Sequence, residues 1–132
     1  MTRLSKRTPR LPRPTDGELS VLRVLWSRGP STVREVQEVL GPQTGYTTVL
    51  KFMQIMTEKG LLRRDESQRT HVYAAARPEE TTQRQLIGDL LERAFQGSAA
   101  KLVMQALSSK RASRQELAEI RRLLDEIEGS PK

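Results

Sequence analysis

The 132-residue sequence contains no cysteine, and that absence removes several chemistries at once. Disulfide scaffolds, thiolate-bound zinc and cysteine nucleophiles are all excluded. Histidine occurs once, at His71, so a histidine-ligated metal or a Ser-His-Asp relay would have to rest on that one side chain. Aromatic residues are scarce, at 4%, and no apolar run approaches the roughly 20 residues of a membrane span. The basic residues 1–14 lack the apolar segment of a secretory signal. The expectation is a small soluble protein of a reducing, cytoplasmic compartment, with no membrane insertion, no metal and no cofactor. A hydrophobic share of 36% suits a compact core but not a large one.

Charge is present in excess of one sign. Lys and Arg number 23 against 16 acids, a formal net charge of +7, which nominates an anionic partner. The excess is uneven. Residues 1–14 carry Arg3, Lys6, Arg7, Arg10 and Arg13 with no acid, residues 15–76 carry 8 basic and 7 acidic side chains, and residues 77–132 carry 10 and 9. Pro9, Pro12 and Pro14 disfavour helix in the basic segment, which reads as an arm disordered in isolation. It is either a solubilising tail or an arm laid along phosphates or into a minor groove, through Arg10 and Arg13.

Past the arm, the spacing of apolar residues predicts three short helices. Thr15 and Glu18 form a capping box that opens the first, with Leu19, Leu22, Val24, Leu25 and Trp26 as its apolar face and Gly29-Pro30 as its stop. Thr32 and Glu35 form a second box ahead of Val33, Val36, Val39 and Leu40. The third helix spans about Tyr46 to Lys59, with Val49, Phe52, Met53 and Met56 buried and Gly60 as the residue that ends it. The period then changes. Leu61 to Asp65 and His71 to Ala75 alternate on either side of a polar connection, which is a hairpin signature. Three helices followed by a hairpin is the order of a winged helix-turn-helix.

Three more helices are expected beyond Pro78: about Glu80 to Phe95, Ala99 to Leu107, and a last one opened by a Ser113/Glu116 capping box and running to about Glu128. Helices this short bury too little surface to stand alone, so they pack back on the first domain or pair with a second copy. The second option suits a reader of half-sites, with Leu86, Leu90, Phe95, Leu102, Val103, Leu117, Ile120, Leu124 and Ile127 as the dimerisation residues. The expected organisation is a basic arm at 1–14, a winged-helix DNA-binding domain at 15–77 and a helical dimerisation domain at 78–132, in a mostly α fold.

The third helix opens on Thr44, Tyr46, Thr47 and Thr48, followed by Lys51 and Gln54. A helix N-terminus with small hydroxyls suits phosphates. Thr47, Lys51 and Gln54 lie opposite the apolar stripe, where Gln can pair with adenine, Lys with guanine, and a Thr methyl can touch thymine. Arg69 is the best-placed contact at the hairpin tip, and Arg63 and Arg64 alternate so that at most one faces DNA. Trp26, Phe52 and Tyr73 read as core, and His71 as a strand residue without a second metal ligand nearby. No buried acid pair suits acid–base catalysis, so the chain does not read as an enzyme.

The segments Thr15 to Trp26, Gly45-Tyr-Thr-Thr-Val-Leu50, Glu58-Lys-Gly-Leu-Leu62, His71-Val-Tyr73-Ala and Gly97-Ser…Lys101-Leu-Val103 resemble the BlaI/MecI/CopY family of penicillinase-type repressors, in the family's order from about Leu11 to Ile127. The resemblance implies a winged helix, a C-terminal three-helix dimerisation region, and a homodimer that represses transcription from an inverted-repeat operator in double-stranded DNA. In the antibiotic-responsive branch it implies cleavage of the repressor, driven by a membrane metalloprotease sensor or its effector protease, here between Gln105 and Ala106, although the usual Asn-Phe pair is absent. The copper-sensing branch carries C-terminal cysteines, and this chain has none. Tyr46 stands where the family favours a small residue or proline. Two alternatives stay open on the residues alone: a winged-helix protein-interaction module without specific DNA binding, and, less favoured, a sensor with a ligand pocket.

Overall fold

The computed structural model describes residues 13–109 and 111–129, so Arg10 lies outside the described residues. Six helices and one hairpin follow in the order α1 (Asp16–Arg28), α2 (Val33–Leu40), α3 (Tyr46–Glu58), β1 (Leu62–Asp65), β2 (Val72–Ala75), α4 (Glu79–Ala94), α5 (Ala99–Ser109) and α6 (Arg114–Gly129). The chain divides into two compact units between Gly88 and Asp89, within α4.

In the first unit the local signals act as the sequence dictates. Thr15 Oγ1 accepts from the Glu18 amide and Glu18 Oε1 accepts from the Thr15 amide, so the α1 capping box closes in both directions. Thr32 and Glu35 do the same for α2. The end of α3 is set by Gly60, whose φ of 87° is open to glycine at little cost. The Leu61 amide reaches back to the Met56 carbonyl at 2.8 Å and the Gly60 amide to Thr57 at 3.1 Å, the paired bonds of a Schellman termination. That turn aims the chain straight into β1.

One core results, formed by Val21, Leu22, Val24 and Leu25 of α1, Val33 and Val36 of α2, Val49, Met53 and Met56 of α3, and Leu61, Leu62 and Tyr73 of the hairpin. The hairpin is antiparallel, with Leu62 opposite Ala75 and Arg64 opposite Tyr73. A further bridge joins Ser31 to Tyr73 in both directions, at 2.9 and 2.8 Å. It pins β2 against the entry to α2.

Several expectations are corrected. Val39 is 54% exposed rather than buried, because α2 turns its narrow Val33–Val36 edge inward and ends one residue later. Phe52 is half-exposed at the rim rather than inside the core, with its ring laid over Gly17, where a Cβ would come within 2.9 Å of the ring. Val21 is fully buried and was absent from the expected apolar face. The strands start at Leu62 and Val72, so His71 is an exposed loop residue, not a strand residue. Leu61 stays buried in the core although it lies outside the strand, and its carbonyl takes the Ala76 amide.

Glu18 has a second role. Its nearly buried carboxylate receives the Lys59 ammonium at 2.8 and 2.9 Å, tying the start of α1 to the end of α3. Burial alone would push this carboxyl up, but the Lys59 ammonium and the Thr15 amide outweigh it and hold the group below its ordinary value. The resulting stabilisation is complete above the unfolded carboxylate pKa and is lost as pH falls through the lower folded value. Glu18→Gln is therefore expected to cost about 1–2 kcal/mol at neutral pH, discounted for the half-exposed lysine. The difference from wild type should shrink in urea titrations below about pH 4. A gap that persists unchanged into acid would contradict the ion pair.

In the second unit α5 and α6 bury no residue. The Ser113/Glu116 capping box forms in both directions at 3.0 Å, as the sequence predicts. Gln96 and Gly97 both take positive φ after α4, and the Gly97 amide bonds to the Leu91 carbonyl, which ends the helix at the expected Gly-Ser break.

Candidate nucleic-acid interface

Helix α3 is displayed by the helices beneath it. Val49, Met53 and Met56 anchor it on the core, and this fixes what its other side presents. Thr47, Thr48, Lys51 and Gln54 are all exposed. Thr47, Lys51 and Gln54 follow one another at spacings of four and three, so they form one stripe along the helix.

The N-terminus of α3 differs from those of α1 and α2. Its cap is Gly45, no side chain caps its free amides, and no acid sits in its first turn. Thr44 is half-buried instead of reaching outward: its amide donates to the Gly41 carbonyl and its own carbonyl accepts from Gln37 Nε2 at 3.3 Å. Thr44 therefore holds the turn between α2 and α3. Tyr46 is exposed, and the Arg34 guanidinium lies over its ring at 5.4 Å from the centroid.

The hairpin supplies a second surface. Arg64 is engaged by Glu66, with Nε to Oε2 at 2.6 Å, and by the Tyr73 hydroxyl. Both partners raise the guanidinium further above its ordinary value. Arg64 thus braces the hairpin, leaving the outward role to Arg63, which is exposed on the alternate register position. Asp65 accepts the Ser67 amide at 2.9 Å, which closes the start of the loop and lowers its carboxyl. Arg69 is exposed on that loop. It lines a cleft of about 550 Å³ together with Thr32, Val33, Arg34, Tyr46, Leu50, Thr70, His71 and Tyr73. The structure therefore brings Arg69, Tyr46 and His71 to one cleft, and adds Arg34, which the sequence did not single out. Arg13 is exposed at the start of the described chain.

The penicillinase repressor family model matches residues 14–126. The chain belongs to the penicillinase repressor family. It is 32% identical over 122 residues to the transcriptional regulator BlaI of Mycobacterium tuberculosis, in two strains, covering 90% of this chain and 88% of the relative. In fold it is similar to the transcriptional regulator Tm0710 of Thermotoga maritima, at a TM-score of 0.50 and 20% identity, covering 87% of this chain and 74% of that one. Three helices followed by a two-stranded antiparallel hairpin make the mostly α winged-helix fold expected from the sequence the fold observed.

The penicillinase repressor match extends through the second unit, whose helices carry the other expected sites. Leu86, Phe95, Leu102, Leu117 and Ile120 are half-buried within the single chain, whereas Leu90, Val103, Leu124 and Ile127 are exposed. Met104, Leu107 and Leu123 share that exposure and were missed as interface candidates. Gln105 and Ala106 are exposed inside α5, and the Gln105 carbonyl accepts the Ser109 hydroxyl at 2.8 Å. A protease acting at that bond must first unwind α5. Among the described residues no group of three or more His, Asp or Glu side chains could hold a metal, and no helix is long and apolar enough to cross a membrane.

Proposed function

We propose that the chain is a sequence-specific DNA-binding transcriptional repressor that acts as a homodimer on an inverted repeat. The observation that carries this is the stripe of Thr47, Lys51 and Gln54 on a helix whose N-terminus has neither a side-chain cap nor an acid. Thr47, Thr48 and the free amides of α3 meet phosphates, Lys51 and Gln54 read base edges, and Arg69 with Arg13 and Arg10 contacts backbone at the flanks. Homodimerisation is supported by the apolar side chains that α5 and α6 leave uncovered. Release by cleavage of α5 between Gln105 and Ala106, through a membrane metalloprotease sensor or its effector, belongs to the same proposal.

A salt titration of DNA affinity tests it. Wild type should show a steep loss of affinity with salt, the mark of several phosphate contacts. Lys51→Ala should lose about 1–3 kcal/mol on a preferred duplex and much less on a scrambled one. No affinity for any duplex at moderate salt would favour a protein-interaction module instead.

A further inference from the structure

The cleft between α2, α3 and the hairpin loop has a composition that α3 and the loop alone do not explain. Its lining includes Arg34, Arg69 and His71, two threonine hydroxyls at Thr32 and Thr70, and no carboxylate. Val33, Leu50 and the rings of Tyr46 and Tyr73 form its apolar part. An anion fits this environment, because guanidinium groups pair with phosphate or carboxylate oxygens and a neutral ligand gains nothing comparable.

The frame of the cleft is fixed by backbone. The two hydrogen bonds between Ser31 and Tyr73 hold the entry of α2 beside β2, so Thr32 to Arg34 directly follow that bridge on one side, and Thr70 and His71 stand just ahead of Val72 on the other. Arg34 is further held by the Tyr46 ring, a contact that restrains a long side chain which would otherwise sample many rotamers. Tyr46 is the first residue of α3. The guanidinium is thus held beside the end of the helix where the stripe of Thr47, Lys51 and Gln54 begins.

We infer that this cleft grips one backbone phosphate of the bound duplex, with Arg34 as its principal contact, Arg69 and His71 closing it from the hairpin loop, and Tyr46 as a positioning residue that holds Arg34 rather than a reader of bases. The inference rests on the DNA-binding function proposed above and assigns it a third point of attachment, on α2. A phosphate gripped between helix and loop fixes the register of α3 in the groove without carrying sequence information.

The test uses the full chain, the duplex it enriches most from a random pool, and a scrambled version of that duplex. Arg34→Ala should weaken both duplexes alike, by about fivefold, and lower the salt slope by about one. Tyr46→Ala should match it, Tyr46→Phe should retain wild-type affinity and slope, and the double variant Arg34→Ala/Tyr46→Ala should be no weaker than either single one. Unchanged helical circular dichroism confirms that each variant folds. If Lys51→Ala loses affinity while Arg34→Ala keeps both affinity and slope, the phosphate grip is wrong and the DNA-binding function stands. A loss confined to the preferred duplex would make Arg34 a base reader and overturn the inference. If wild type enriches no duplex, the DNA-binding function itself fails, and this grip with it.

Discussion

Leu124→Glu combined with Ile127→Glu is expected to leave the protein monomeric and to lower its affinity for a two-site duplex on the order of a hundredfold or more. Ile127 is 63% exposed and Leu124 55% in the single chain, on a helix that buries no residue of its own. Covering such side chains with a second copy returns about 1.5–3 kcal/mol each, whereas a buried unpaired carboxylate reverses the sign. Joining two half-site readers converts the second binding event into an intramolecular one, and that gain is what the monomer forfeits. The buried core of the first unit and the side chains packed against it lie between Leu19 and Ala75, none of them in α6, so the monomer should keep its helical spectrum and bind a single half-site as wild type does. Sedimentation equilibrium and a comparison of one-site with two-site duplexes measure both parts. A variant that stays dimeric, or a dimer that gains nothing from the second site, would contradict the assignment of this face.

Tyr73→Ala should cost about 3–5 kcal/mol, the range for emptying a large aromatic site. Tyr73 is 2% exposed and is the one hairpin aromatic in the core. Its backbone bridges Ser31 and its hydroxyl meets Arg64. Small domains have total stabilities at the low end of about 5–15 kcal/mol, so the variant should be largely unfolded at physiological temperature. The urea midpoint should drop accordingly. Tyr73→Phe, which keeps the packing and loses only the hydroxyl, should cost about 0.5–1.5 kcal/mol. A loss under about 1 kcal/mol for Tyr73→Ala would show that the hairpin is not anchored through this ring.

What was legible in the sequence was local. The three capping boxes need residues three apart, and all three close as their spacing requires. The polar run between two short segments past Gly60 marked the hairpin, although β1 itself buries only Leu62. The stripe on α3 followed from its own apolar side. Contacts between distant positions were hidden. Glu18 and Lys59 stand 41 residues apart, and Glu18 was already accounted for by its cap. The Trp26 indole donates to the Arg77 carbonyl and the Arg77 guanidinium to the Gly60 carbonyl, each at 3.0 Å, a tie across three elements that no spacing announces. Nothing in the spacing of Arg34 pointed to Tyr46, over whose ring the fold places its guanidinium. Val39 and Phe52 misled for the opposite reason: apolar residues at helical spacing outnumber the places that a small core can cover.

The charge excess that first pointed to an anionic partner belongs mainly to residues 1–14, while the winged-helix segment is close to neutral. Sequence choice therefore has to come from where a few side chains on α3 point. The most direct measurement is selection of duplexes by the full-length protein from a random pool at moderate salt. The expected result is enrichment of an inverted repeat with half-sites about one helical turn apart, lost when Lys51 and Gln54 are both replaced by Ala. Recovery of unenriched, random sequence by the wild-type protein would contradict it.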